Sequence, residues 1–192
     1  MQNSYNRKHH LKYSIAIAGA AETGSCAIDA LEKAEQFGQA VAKKGLILIT
    51  GVTTGIPYWT AKGAKEAGGI VIGISPAANE NDHIKKYQLP IDYHDFIIYT
   101  GFDYAGRNLL LSRAADAMAI ICGRLGTLNT FTVGLEDGTP IGVLKKSGGT
   151  ADLTEGIMQK SQRGPGKIVF SEYPADLLDK MLKLISEDRE SR

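Results

Sequence analysis

The chain reads as an α/β protein, a three-layer sandwich in which helices cover a mostly parallel sheet of about seven strands. Two observations predict this class. Short apolar runs rich in β-branched residues alternate with stretches at helical period, as strands joined by crossover helices do. Most of these runs are apolar without a break, which is what burial on both faces of a sheet requires. A length of 192 residues with 43% apolar content suffices for one well-buried core. A single domain is therefore expected over residues 13–192.

The elements follow in order. A strand at 13–18 leads through a glycine-containing loop to a helix at 28–43, which Gly45 ends. A strand at 46–50 and a helix at 58–66 come next, and Gly68 and Gly69 turn the chain into a strand at 70–74. Strands at 96–99 and 117–122 flank a helix at 102–115, and a helix at 128–136 ends at Gly138. Strands at 141–144 and 167–170 flank a helix at 151–159, and a helix at 174–187 closes the series. Each helix carries one apolar and one polar stripe. Gly148, Gly149 and the Gly164, Pro165, Gly166 group punctuate loops without any change in composition, so no linker is read there.

Lysine plus arginine (22) nearly cancels aspartate plus glutamate (21), and no run of one sign occurs in the body of the chain. That balance argues against a nucleic-acid partner. No apolar run is long enough to span a membrane and no signal peptide is seen, so a cytoplasmic location is expected. Cys26 and Cys122 lie far apart in sequence and are expected as reduced thiols. Residues 1–12, with Arg7, Lys8, His9, His10 and Lys12, lack an apolar period and read as a flexible arm. Two adjacent histidines without a second ligand pair do not make a metal site, and none is expected. His83 and His94 flank a polar segment and read as exposed loop residues, Trp59 as packing, and Glu136 and Asp137 as surface charges.

In an open parallel sheet the loops that follow the strands emerge at one edge, and ligands collect where the strand order reverses. Gly19 opens the loop after the first strand, and Gly51, Val52, Thr53, Thr54 and Gly55 follow the second. After the fifth strand come Cys122, Gly123, Arg124, Leu125, Gly126 and Thr127, turning directly into a helix. A helix start carries unpaired amides and partial positive charge, and glycines let an anion approach its backbone closely. Thr127 would cap the helix or bond a phosphate oxygen, and Arg124 would add a charged contact if turned inward. Arg107, near the start of the helix after the fourth strand, belongs to the same edge. The alternative reading is a tight turn with nothing bound and a solvated Arg107. Three glycine-containing loops on one edge favour a phosphate-bearing ligand.

Arg107 and Asn108, then Ala115, Asp116 and Ala117, then the glycine turn at 123–127 together resemble the signature of the Lonely Guy (LOG) proteins. That family, formerly labelled lysine decarboxylase, is grouped with the molybdenum-cofactor carrier proteins and the DNA-processing protein in one Rossmann-like superfamily. The resemblance covers about residues 13–144. It implies a Rossmann-like, nucleotide-binding domain that assembles as a homodimer or larger, through the helices around these motifs. It places the phosphate on Gly123, Arg124, Leu125, Gly126 and Thr127, with Arg107 beside the sugar and Gly19, Gly51, Thr53, Thr54, Gly55, Asn108 and Thr130 around them. No cofactor is required; the ligands it implies are an AMP-like nucleotide or the molybdenum cofactor.

Active family members cleave the N-glycosidic bond of a nucleoside 5′-monophosphate, and in such an enzyme Arg107 would be catalytic. This chemistry needs a carboxylate near the anomeric carbon. The family's glutamate position is Thr130 in this chain, which is neutral. Cys122 also replaces a proline, Arg124 a glycine and Asn108 a lysine, while Val52, Thr53 and Thr54 replace glycines. A binding protein that breaks no bond is therefore the expected function, with Arg124 restoring the charge missing at Asn108. A phosphoribohydrolase with Glu22 as substitute acid is one alternative, and a vestigial site on a protein-interaction module is another. A dehydrogenase is disfavoured, because the first loop lacks GxGxxG spacing and Thr50 and Gly51 end the second strand where an acid would be needed.

Overall fold

The computed structural model describes residues 12–161 and 166–190. The arm expected at 1–12, apart from Lys12, and the loop residues Gly164 and Pro165 lie outside the described residues. Seven strands form one sheet: β1 (Ser14–Gly19), β2 (Ile47–Thr50), β3 (Ile70–Ser75), β4 (Phe96–Tyr99), β5 (Ala117–Ile121), β6 (Ile141–Leu144) and β7 (Ile168–Ser171). Their order is β4-β3-β2-β1-β5-β6-β7, and every pairing is parallel. The helices are α1 (Ala30–Lys43), α2 (Ile56–Glu66), α3 (Asp103–Arg113), α4 (Leu125–Glu136), α5 (Thr154–Ser161) and α6 (Pro174–Glu190). No helix among the described residues is long and apolar enough to cross a membrane.

Alternation along the strands sorts the core into two layers. Ile15, Ile17, Ala119 and Ile121 pack toward α1, α2 and α6, around Phe37 and Met181. Ala16, Ala18, Met118 and Ile120 pack toward α3 and α4, around Leu111 and Phe131. All of β5 is buried, as its unbroken apolar run predicts. Edge strand β4 differs: it is equally apolar, yet Phe96 and Ile98 are exposed, because among the described residues no strand pairs beyond it. Strand order reverses between β1 and β5, which pair directly with Gly19 opposite Ile121.

Four local expectations are corrected. Helix α4 begins at Leu125, three residues earlier than its apolar period suggests, so Thr127 lies in its first turn and does not cap it. The stretch expected as one helix from 151 opens with a 3-10 turn, Gly149–Leu153, before α5. His83 is fully buried in a π-helical turn, Asp82–Lys86, and His94 is half-buried. Both rings are held by hydroxyls at strand ends: His83 Nδ1 lies 2.8 Å from Ser75 Oγ, and His94 Nε2 lies 2.7 Å from Thr50 Oγ1. Finally, Cys26 and Cys122 are not free thiols but a disulfide spanning 96 positions. Sequence distance conceals their proximity, because the loops that leave neighbouring strands β1 and β5 start side by side.

Candidate functional site

A crevice of about 350 Å³ opens at the β1/β5 reversal, in the size range of small-ligand sites. Its floor is the end of β1 at Ala18 and Gly19, and its walls are α3 and the start of α4. The backbone at Arg124 is extended (φ −128°, ψ −158°) and turns into helix with no side-chain cap. The first bond of the α4 ladder runs from the Leu128 amide to the Arg124 carbonyl (2.9 Å), so the amides of Leu125, Gly126 and Thr127 precede it. Nothing stands within 4 Å of where a Cβ on Gly126 would be, so the space beside this glycine is open. This is the arrangement in which backbone donors and helix dipole favour an anion.

Arg107 lies across from them. It projects from the face of α3 that also carries Asn108 and Leu111, and it is only 6% exposed. Its guanidinium occupies the space that a side chain at Gly51 would need: a Cβ there would stand 1.6 Å from Nη1. The Arg107 Nε has no hydrogen-bond partner, and no carboxylate among the described residues pairs with the group. Burial pushes its pKa down to about 10, partly offset by Tyr104, whose ring centroid lies 6.0 Å from Cζ. A buried cation without a counter-ion is costly in isolation. Here it faces the crevice, within which an anion would complete its coordination.

The other expected residues divide into liners and supports. Thr53, Asn108, Arg124, Leu125, Thr127 and Thr130 line the crevice with Gly19 and Gly126. Asn108 Nδ2 donates to Asn129 Oδ1 (3.0 Å) and to the Gly126 carbonyl (3.4 Å), so its amide tethers α3 to α4. Thr130 Oγ1 donates back to the Gly126 carbonyl at 3.0 Å. Arg124, expected to turn inward, forms an ion pair with Glu22 at the mouth, where both side chains are mostly exposed. Thr54 is exposed and donates to the Ala21 carbonyl (3.1 Å). Gly51 and Gly123 are buried and Gly55 is half-buried, and the crevice lining includes none of the three. At Gly55 (φ 67°) a Cβ would come within 2.2 Å of the Ala20 carbonyl oxygen, so this glycine allows the first two loops to touch.

Val52 and Cys122, one residue beyond Gly51 and Ile121, both adopt left-handed φ of 53°. Such strained conformations in non-glycine residues concentrate at functional sites. Tyr104, Leu111 and Pro57 also line the crevice and were missed in sequence. Tyr104 and Leu111 stand three positions before and four after Arg107, so helical spacing from that arginine would have found them. Trp59 instead packs against the core on the α1 side.

The chain is similar to several known proteins. An uncharacterized protein of Archaeoglobus fulgidus is 32% identical over 127 residues, covering 66% of this chain and 78% of that protein. The structure of a molybdenum cofactor binding protein from Rippkaea orientalis superposes with a TM-score of 0.72 at 27% identity, covering 93% of this chain and 98% of that one. That of a molybdenum cofactor carrier protein from Chlamydomonas reinhardtii gives 0.74 at 22% identity, covering 92% and 99%. The family model described as SLOG cluster4 matches residues 12–178. The chain therefore belongs to the SLOG cluster4 family, within the Rossmann-like superfamily that its resemblance to the LOG and carrier proteins indicates.

Proposed function

We propose that residues 13–192 form one binding unit that holds a phosphate-bearing small molecule, a nucleoside monophosphate or the molybdenum cofactor, without cleaving it. The single observation that carries this reading is Arg107, buried, unpaired and facing the crevice opposite the free amides of α4. A phosphate monoester bridges the two. It accepts from Leu125, Gly126 and Thr127 on one side and from the guanidinium on the other. The solved carrier and binding proteins add weight to a phosphate ligand, and the apolar wall at Leu111, Pro57 and Tyr104 suits a flat ring system.

Bond cleavage is disfavoured on chemical grounds. Among the lining residues Glu22 bears the only carboxylate, and it is paired with Arg124 at the exposed mouth. Thr130 spends its hydroxyl on backbone and offers no charge to an oxocarbenium-like transition state. Titration calorimetry with adenosine monophosphate, followed by chromatography for adenine, tests both halves. Binding with intact AMP is expected. Adenine release would establish the hydrolase reading, and no binding at millimolar AMP would favour a vestigial site.

A homo-oligomer is part of this proposal. Phe96 and Ile98 of edge strand β4 and Phe102, Tyr104, Leu109 and Leu110 around α3 are exposed. Large exposed apolar side chains favour association where they gather into a patch. Sedimentation is expected to give a dimer or larger, and Leu110→Lys a smaller species.

A further inference from the structure

The Cys26–Cys122 disulfide joins the two loops that frame the crevice, and the binding reading makes no use of it. Its two ends differ. Cys122 is fully buried at the end of β5; its amide donates to Ser147 Oγ (2.8 Å) and its carbonyl accepts from the Ala151 amide (3.0 Å). A Cβ on Gly149 would lie 3.0 Å from its sulfur, so this end is closely packed. Cys26 is half-buried and belongs to the loop at 20–29, which contains no helix or strand. That loop is tied to the neighbouring one by Ala27 N donating to the Ser147 carbonyl (2.9 Å) and Gly149 N to the Ser25 carbonyl (3.0 Å). Among the described residues it is bonded to the residue 122–127 turn through the disulfide and the Glu22–Arg124 ion pair, which is exposed to solvent.

We propose that this disulfide is a reducible clasp on the crevice. Oxidised, it holds the residue 22–26 wall against the anion-binding turn, beyond Ala20 and Ala21, which bonds from Ile56 and Thr54 keep in place; reduced, it releases that wall and weakens ligand binding. The affinity part of the proposal rests on the phosphate-binding reading above, whereas the loosening of the loop does not. The reductant is a dithiol, small or borne by a protein. One thiolate attacks Cys26 Sγ, the less buried end, and the S–S electron pair leaves on Cys122 Sγ, which takes a proton from solvent. The second thiol of the reductant then attacks the mixed disulfide and departs as its own disulfide. Cys26 leaves as a thiolate and is protonated, so two electrons pass from the dithiol to the protein.

The test uses the full chain, whose cysteines number two, before and after excess dithiothreitol. Thiol titration under denaturing conditions should find none free before treatment and both after it. Hydrogen exchange should accelerate by about tenfold or more in residues 22–29 and 122–127, while β1 and β5 stay protected. AMP affinity should fall about tenfold on reduction, and Cys26→Ser should reproduce the reduced value and ignore the reductant. Free thiols in the air-oxidised protein, unchanged exchange in both loops, equal AMP affinity in the two states, or loss of protection throughout the sheet would each overturn the proposal. Faster loop exchange with no AMP binding in either state would uphold the clasp and refute the nucleotide reading.

Discussion

Replacing Arg107 by methionine should make the ligand-free protein more stable and the ligand weaker, two effects of opposite sign from one side chain. Burial holds the Arg107 pKa down at about 10, well below the guanidinium's ordinary range. At about 1.4 kcal/mol per unit, the charged form is disfavoured in the folded state by roughly 3 kcal/mol. Above about pH 10 the unfolded chain keeps a proton that the folded chain has lost, so stability rises with pH there. Below it, pH 7 included, the full penalty applies. Methionine fills similar space without charge, and losing the contact with Tyr104 returns about 0.5–1 kcal/mol of the gain. A net increase of about 2 kcal/mol remains, or roughly 4–8 °C in melting temperature for a chain of this size. AMP should then bind about 10- to 100-fold more weakly, the effect of removing a hydrogen bond to a charged group. Thermal melts at pH 7 with and without AMP read both effects. A variant that melts lower without ligand, or that AMP protects as well as it protects the wild type, would refute the reasoning.

Three further outcomes follow from the same geometry. Gly126→Ala should keep or raise stability by up to about 1 kcal/mol, since alanine suits a helix better and meets nothing within 4 Å, while the added methyl blocks the amides and lowers AMP affinity in calorimetry. Gly51→Ala should displace the Arg107 guanidinium, which lies 1.6 Å from the new Cβ position, and lower AMP affinity toward that of the Arg107→Met variant. Glu22→Gln should release Arg124 and tighten AMP binding a few-fold at low ionic strength, with the gain fading as salt is raised. Weaker binding in that variant would instead put the Glu22 carboxylate in contact with the ligand.

The strands were legible because burial on both faces leaves an unbroken apolar run, as in β5, and the glycine turn because its spacing to Arg107 and Asp116 is distinctive. Strand order was not legible, and with it went the disulfide, since only the β1/β5 pairing brings the loops of Cys26 and Cys122 together. The burial of Arg107 was hidden for a related reason. An arginine on an amphipathic helix reads the same whether solvated or buried, and the space it fills is left by Gly51 on a different strand. The start of α4 misled in the opposite way. Threonine is a better cap than arginine by propensity, but extended backbone at Arg124 begins the helix without any capping side chain, leaving its amides open. His83 looked exposed amid polar neighbours, yet Ser75 Oγ and the Pro90 carbonyl (3.1 Å) satisfy both ring nitrogens and allow its burial.

Diffraction from crystals grown with AMP most directly probes the pairing of Arg107 with the start of α4. The phosphate should lie within hydrogen-bonding distance of the Leu125, Gly126 and Thr127 amides, with the Arg107 guanidinium bonded to it. Phosphate density elsewhere on the molecule, or an occupied crevice in which Arg107 makes no contact with the anion, would contradict the account.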